Sequence, residues 1–320
     1  FTKVDIENKN VLIRLDLDVP IEGGVVTNNF RLQKVLPTVV ECLKYARKVC
    51  LVGHSGRPTK SDQSQYSLEP IKKELEKLLN QSILVISSGF PPGDWWKGES
   101  PLILLENLRF DDREENLSPE FAKELSTNAD LYIYEAFATY RPCTSLSLIP
   151  KLLPTKTGLQ FDSEISTLKS LLVSPKRPTL LIGSGSKQDK KELLQSIAAK
   201  FDHVFWGGVF ALPEDLTADG FDINPQGLEK VLNLISSSQT IVLNGPLGKY
   251  EDNIHSESTK KVFEALANSS KTTILGGGDT LAAIPQLGFN YTQYGFVSTG
   301  GGATLEFLKT ETHPLLAILN

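Results

Sequence analysis

Short, nearly unbroken apolar runs alternate along this chain with longer segments whose apolar residues recur every three or four positions. Residues 11–15, 49–52, 83–86, 102–105 and 131–134 read as strands. Helical spacing covers 32–46, with Pro37 near its start, and 67–79, with Ser67 as cap and Pro70 in the first turn. Ser118-Pro119-Glu120 opens another helix that runs to about Leu125. The alternation resumes with strands at 179–182, 204–206, 240–243, 273–275 and 296–297. The helices between them fall near 189–200, 225–235, 256–267 and 280–285, and a last one opens at Ala303. A strand buried on both faces shows no polar alternation, so such runs separated by helices predict parallel sheets covered by helices. A chain of 320 residues exceeds one comfortable core. The expected fold is α/β, with two Rossmann-like three-layer domains built on parallel sheets. A helix at 158–173, striped by Ile165, Leu168, Leu171 and Leu172, ends at Pro175-Lys176-Arg177-Pro178 and is expected to be the hinge helix joining them. The domains are placed at 1–160 and 161–307.

Ligands of parallel sheets bind beyond the carboxyl ends of the strands. The first strand there is followed by Asp16-Leu17-Asp18 and then Arg31, and the next by His54-Ser55-Gly56-Arg57. Further on come Glu106-Asn107-Leu108-Arg109, and then Glu135 with Arg141. Any one arginine reads equally well as a solvated loop residue, and a lone histidine is more often structural. Basic residues at four successive strand ends instead predict a cationic cup, since arginine forks match carboxylate and phosphate oxygens in pairs.

The second half offers anion sockets of another kind. Phe296-Val297 runs through Ser298-Thr299-Gly300-Gly301-Gly302 into a helix. Thr273-Ile274-Leu275 runs through Gly276-Gly277-Gly278 into Asp279-Thr280 and a second helix. A strand–glycine–helix junction presents free backbone N–H groups at a positive helix end. The bland reading, a tight turn, stands level with the functional one at either junction alone. Two together, one carrying a carboxylate suited to a metal–phosphate group, suggest a nucleotide.

Composition narrows the partners. A formal net charge of −5 argues against nucleic acid as a bulk partner. Cys42, Cys50 and Cys143 are too few and scattered for a disulfide framework or a Cys-rich zinc site, which fits a reducing cytoplasm. No apolar run is long enough to span a membrane. The sequence has Phe1 at its start and no Met, so its original start is expected to be trimmed or processed.

Several segments resemble one family. Residues 11–20, VLIRLDLDVP, are similar to VLVRVDFNVP of phosphoglycerate kinases, and HSGRP at 54–58 is similar to their HLGRP. LLENLRF at 104–110, NGPLG at 244–248 and STGGGATLE at 298–306 resemble LLENVRF, NGPMG and STGGGASLE. The resemblance implies a Mg²⁺-dependent, reversible phosphoryl transfer between 1,3-bisphosphoglycerate and ADP that gives 3-phosphoglycerate and ATP. It implies that Asp16, Asp18, Arg31, His54, Arg57, Arg109 and Arg141 hold the acid phosphate in the first domain. It places Gly185, Lys187, Lys191, Gly207, Gly208, Asn244, Pro246, Gly248, Glu251, Gly276, Gly277, Gly278, Asp279 and Thr280 around ATP or ADP. Asp279 is the expected Mg²⁺ contact. Arg31, Lys187, Gly277 and Gly300 are assigned to the transfer itself. The tail, 308–320, is expected to pack back on the first domain. The implied protein is a cytoplasmic monomer acting on small molecules after its domains close and expel water.

The chain also departs from the pattern. Asp18 replaces Asn, and a carboxylate there opposes an anionic substrate unless it is paired. Tyr134-Glu135 replaces Asn-Asp, HRAHAS is altered to RPCTS at 141–145, and Lys190 stands in place of Asp. The stretch between Gly208 and Asn244 is short, with 211–222 replacing a helix and strand at the adenine pocket. The competing expectation is therefore a catalytically weak or inactive relative that binds metabolite or nucleotide.

Overall fold

The structure, a computed structural model, describes residues 1–86 and 91–319. It divides into two compact units, Phe1–Ile165 with Thr312–Asn320, and Ser166–Glu311. The first contains α1 (Lys3–Ile6), β1 (Asn10–Leu15), β2 (Ile21–Glu22), β3 (Val25–Val26), α2 (Phe30–Tyr45), β4 (Lys48–Val52), α3 (Glu69–Leu79), β5 (Leu84–Ile86), β6 (Leu102–Leu105), α4 (Pro119–Ser126), β7 (Leu131–Glu135), α5 (Thr144–Ser147) and β8 (Thr155–Thr157). The division falls inside α6 (Leu159–Val173). The second contains β9 (Thr179–Gly185), α7 (Gln188–Ala198), β10 (His203–Gly208), α8 (Pro225–Ser237), β11 (Thr240–Asn244), α9 (Glu257–Ala267), β12 (Thr272–Gly276), α10 (Gly278–Gln286), β13 (Phe296–Val297) and α11 (Gly301–Thr310). The closing helix α12 (Pro314–Leu319) belongs to the first unit.

Both large sheets are parallel throughout, ordered β5-β6-β4-β1-β7-β8 and β10-β9-β11-β12-β13. The apolar runs occupy their centres: every residue of β1 is buried, and Val11, Ile13, Leu51, Leu104 and Ile133 share one core. Two elements escape the hydrophobic pattern. Thr155–Thr157 is a short polar strand at a sheet edge, where one side needs no apolar cover. The β2–β3 hairpin turns on Gly23-Gly24, and both glycines have positive φ. Helix α2 starts earlier than its spacing suggests, so Pro37 lies about two turns inside it instead of near its start.

Glu135 organises the start of α6. Its buried carboxyl accepts from Thr38 Oγ1 at 2.6 Å and from the N–H groups of Gln160 and Phe161 at 2.8 and 2.9 Å. Burial pushes it up to about 7 against those three donors. The carboxyl thus serves two orphan N–H groups at a helix start and ties α2 to them.

The chain end is fixed in the first unit by His313, which is buried. Leu315 N–H donates to its Nδ1 at 3.2 Å, and its Nε2 lies 3.2 Å from the Phe137 carbonyl. Its ring meets that of Phe161 edge-on at 4.9 Å. Burial holds the imidazole down to about 4, below its ordinary 6.5. The folded state therefore binds fewer protons than the unfolded state between those values. The stability from neutral His313 is present above about 6.5 and is lost as pH falls toward 4, amounting to about 3 kcal/mol. We expect the urea midpoint of the first unit to fall more between pH 7 and 4.5 in the parent than in His313→Asn. Equal falls would remove His313 from the acid response.

Candidate active site

The first unit gathers its polar residues at the carboxyl ends of β1, β4, β6 and β7. Asp18, His54, Arg57, Arg109 and Arg141 line one cavity of about 550 Å³. Arg57 makes no ion pair or hydrogen bond among the described residues, and the Arg141 guanidinium lies 6.0 Å over the Tyr140 ring. Both remain available to an anion. Arg109 is partly committed, donating to the Gly56 carbonyl at 2.7 Å and pairing with Glu115 at 3.0 Å.

The loops are held by the motifs themselves. Glu106 accepts from Ser67 Oγ and from the N–H groups of Leu68 and Asn107. Asn107 Nδ2 donates to the Ser55 and Tyr66 carbonyls at 2.8 and 2.9 Å. Gly56 has φ +63°, and a Cβ there would lie 2.2 Å from the Tyr66 ring. Glu106 and Asn107 shape the cup from outside its wall, and Gly56 is part of the wall.

Asp18 is not a bare charge in the cavity wall. Its Oδ1 accepts the Gly56 N–H at 2.8 Å, and its carbonyl accepts from Arg31 Nη1 at 2.5 Å. Arg31 Nη1 also lies 3.8 Å from Asp16 Oδ1. Asp16 is buried with Oδ2 lacking a hydrogen-bond partner, and burial raises its carboxyl above the usual range against the pull of Arg31. Arg31 and Asp16 join the cup through Asp18, outside the cavity wall.

The cup is less basic than its sequence suggests. Burial, then the charges of Arg14, Arg109 and Arg31, hold His54 well below its ordinary range, so it is a neutral imidazole and not one of the cations. Glu114 and Glu115 also line the cavity. Sequence reasoning overlooked both carboxylates, and it read Arg14 only as a strand residue. Arg14 is wholly buried, and its Nη2 lies 2.5 Å from His54 Nδ1.

In the second unit, parallel register brings the glycine loops to one sheet edge: Gly208 pairs with Gly185, and Asn244 with Gly183 and Gly276. Several expected ligand residues are engaged with one another. Thr280 Oγ1 accepts the Gly245 N–H at 2.9 Å and donates to the Gly276 carbonyl at 2.8 Å. Gly208 N–H donates to the Leu247 carbonyl at 2.7 Å, Ser184 Oγ donates to the Pro246 carbonyl, and Gly300 N–H donates to Ser298 Oγ at 3.1 Å. Asn244 Nδ2 donates to the Gly301 carbonyl at 3.2 Å, while its buried Oδ1 has no partner.

The charged residues divide differently. Lys187, at the start of α7, and Asp279, in the first turn of α10, make no side-chain hydrogen bond or ion pair among the described residues. Lys191 Nζ sits 5.8 Å over the Phe210 ring. Lys190 occupies the loop interior: a Cβ on Gly245 would lie 3.1 Å from its Nζ, and one on Gly185 would lie 3.3 Å away. Burial lowers its ammonium below the usual lysine range, with the Asp279 charge opposing that shift. A desolvated cation among glycine loops is suited to an anion. Glu251 is exposed at the same edge, and Gly248 abuts Asp222.

Asp279 also fits a Mg²⁺ contact. It is a hard oxygen donor without an internal partner, and Mg²⁺ commonly uses one carboxylate with waters and substrate phosphates. Among the described residues no cluster of three His, Cys, Asp or Glu side chains could hold a metal by itself, and no helix is long and apolar enough to cross a membrane.

Comparison with known proteins follows the same lines. The profile of the phosphoglycerate kinase family matches residues 1–213 and 211–311. A phosphoglycerate kinase of Aquifex aeolicus is 32% identical over 393 aligned positions, covering 99% of this chain and 97% of the relative. One from Leptospira biflexa is 31% identical over 377 positions, covering 97% of this chain and 95% of the relative. Both alignments are longer than this 320-residue chain, so those relatives carry internal segments it lacks. The phosphoglycerate kinase structure from Pyrococcus horikoshii superposes with a TM-score of 0.86 at 26% identity, covering 98% of this chain and 96% of that one. The structure from Coxiella burnetii gives 0.80 at 28% identity, covering 98% and 97%. With family-wide coverage in sequence and in fold, this chain belongs to the phosphoglycerate kinase family.

Proposed function

We propose that this protein is an active phosphoglycerate kinase, transferring a phosphoryl group reversibly between 1,3-bisphosphoglycerate and ADP with Mg²⁺. The observation that carries this reading is the set of charged side chains that make no side-chain hydrogen bond or ion pair among the described residues: Arg57 in the first unit, Lys187 and Asp279 in the second. Such groups contribute little to folding and are suited to binding anionic ligands and a metal ion.

In this reading the cavity of the first unit binds the acid phosphate. Arg57, Arg109 and Arg141 meet its non-reacting oxygens, and Arg31 serves the transferring group. The nucleotide binds the glycine edge of the second unit, with Lys187 and Lys190 on its phosphates. Asp279 would hold Mg²⁺, whose charge neutralises that of the nucleotide phosphates. Asn244 Oδ1, buried and unpaired, is free to accept from the ligand. No covalent intermediate is required; positioning and charge compensation supply the catalysis.

A coupled assay with 3-phosphoglycerate, ATP and Mg²⁺ tests the proposal. Turnover is expected. A folded protein that binds both ligands yet shows none would be a binding relative.

Lys190 gives a sharper prediction within it. Loss of one charge-assisted hydrogen bond is typically worth about 1.5–3 kcal/mol. We expect Lys190→Gln to weaken MgADP binding roughly 10- to 100-fold by calorimetry, and Lys191→Gln to change it less than about threefold. The reverse ranking would return the phosphate role to Lys191.

A further inference from the structure

We propose that Arg14 is a positioning residue that makes His54 Nδ1 an acceptor, leaving the imidazole proton on Nε2, the ring nitrogen free to donate to a ligand in the first-unit cavity. The proposal deepens the acid-phosphate reading of that cavity and rests on it for the identity of the ligand.

The argument begins with what a guanidinium can do. It carries five N–H donors, offers no acceptor, and stays protonated in proteins. Arg14 Nη2 lies 2.5 Å from His54 Nδ1. The ring nitrogen facing it must therefore present its lone pair. A neutral imidazole has one proton, which then belongs to Nε2. His54 lines the cavity, and Nε2 has no hydrogen-bond partner among the described residues.

Arg14 cannot turn away from this task. It lies in β1 at the centre of the sheet, wholly buried. Its Nη1 donates to the Leu15 carbonyl, and its Nε donates to Ser145 Oγ at 3.0 Å. Ser145 Oγ donates to Glu114 Oε1 at 2.6 Å, and Ser145 N–H donates to Glu114 Oε2 at 3.1 Å. Tyr132 Oη donates to the Ser145 carbonyl at 2.9 Å. A guanidinium only donates and a carboxylate only accepts, so the direction runs from Arg14 through Ser145 to Glu114, with Cys143 Sγ as a further neighbour 3.5 Å from Ser145 Oγ.

The surroundings oppose a second proton on His54. Arg14 faces it from β1, Arg31 from α2 and Arg109 from the segment after β6. Arg57 and Arg141 share the cavity wall with the carboxylates of Asp18, Glu114 and Glu115. Protonation would also set Nδ1–H against the Arg14 donor. The consequence is functional: His54 gives the ligand a directed hydrogen bond whose strength does not vary with pH near neutrality, and the arginines supply the charge.

The test is long-range ¹H–¹⁵N spectroscopy of the imidazoles in the full-length protein, with His54 assigned through His54→Asn. We expect only the Nε2–H tautomer and no titration of His54 between about pH 8 and 5.5. In Arg14→Met the tautomers should mix, and the midpoint should rise toward its ordinary value of about 6.5. Arg14→Lys, which keeps a donor, should restore Nε2–H. Affinity for 3-phosphoglycerate supplies an independent readout, because the variant-to-parent ratio cancels the ligand's own ionisation. On going from pH 8 to 5.5, Arg14→Met should gain roughly fivefold relative to the parent, the worth of one added contact charge in water. A merely structural role would change affinity by the same factor at both pH values and would overturn the proposal. So would a parent His54 with its proton on Nδ1, or one titrating near its ordinary value. The parent spectrum decides the matter even where Arg14→Met fails to fold. A parent showing Nε2–H but no 3-phosphoglycerate binding would instead refute the acid-phosphate reading and leave the Arg14–His54 relation standing.

Discussion

Gly301→Ala is expected to dismantle the glycine-loop edge of the second unit. A Cβ at Gly301 would lie 2.2 Å from Gly277 Cα and 2.3 Å from Gly277 N. Carbon atoms normally rest about 3.5–4.0 Å apart. The obstacle is backbone, so no side chain can rotate aside. Gly277 itself has φ +110°, a conformation open to glycine, and it is followed at once by α10. Separating the two junctions would also move the Gly301 carbonyl away from Asn244 Nδ2. We expect a loss of about 4 kcal/mol or more, in the range reserved for severe core defects, together with loss of MgADP binding. Gly278→Ala is the control, because nothing lies within 4 Å of its added Cβ. Its urea midpoint should move by no more than the equivalent of about 1 kcal/mol. Similar midpoints for the two variants would show that the close approach is absent in solution.

The other large effect is kinetic. Charge on the transferring phosphoryl oxygens is best compensated in the transition state. Arg31→Ala and Lys187→Ala should therefore each lower kcat roughly 10²–10³-fold, the scale for removing one such donor, with modest effects on ligand affinity. Arg57→Ala should chiefly raise KM, because its guanidinium is assigned to oxygens that do not react. Steady-state kinetics on the three folded variants separate the cases. Equal small losses in all three would leave Arg31 and Lys187 without a transfer role.

Much of the site was legible because its chemistry follows strand ends. Asp18, His54, Arg57, Arg109 and Arg141 lie in separate segments, yet parallel strands deliver all five to one cavity. Spacing alone carries no information on which donors are already engaged. Thr280 is expected beside the nucleotide and Gly300 at the transfer, and the groups of both also close hydrogen bonds inside the loops. Lys190 and Lys191 are neighbours, and helix geometry sends one toward the glycine loops and the other over Phe210.

The alternation of apolar runs and amphipathic helices, by itself, determined the α/β class, the parallel sheets and the placement of the polar loops. Those properties follow from burial and periodicity, which each segment carries locally. Charge state and availability belong to the assembled structure. Arg14 became the partner of His54, and Gly301 the neighbour of Gly277, through contacts between residues 40 and 24 positions apart in the chain. Folding also set the dielectric around Glu135, His54 and Lys190, and with it their proton affinities. Desolvation and hydrogen-bond competition depend on what surrounds a group from every side, and only the tertiary structure supplies those neighbours.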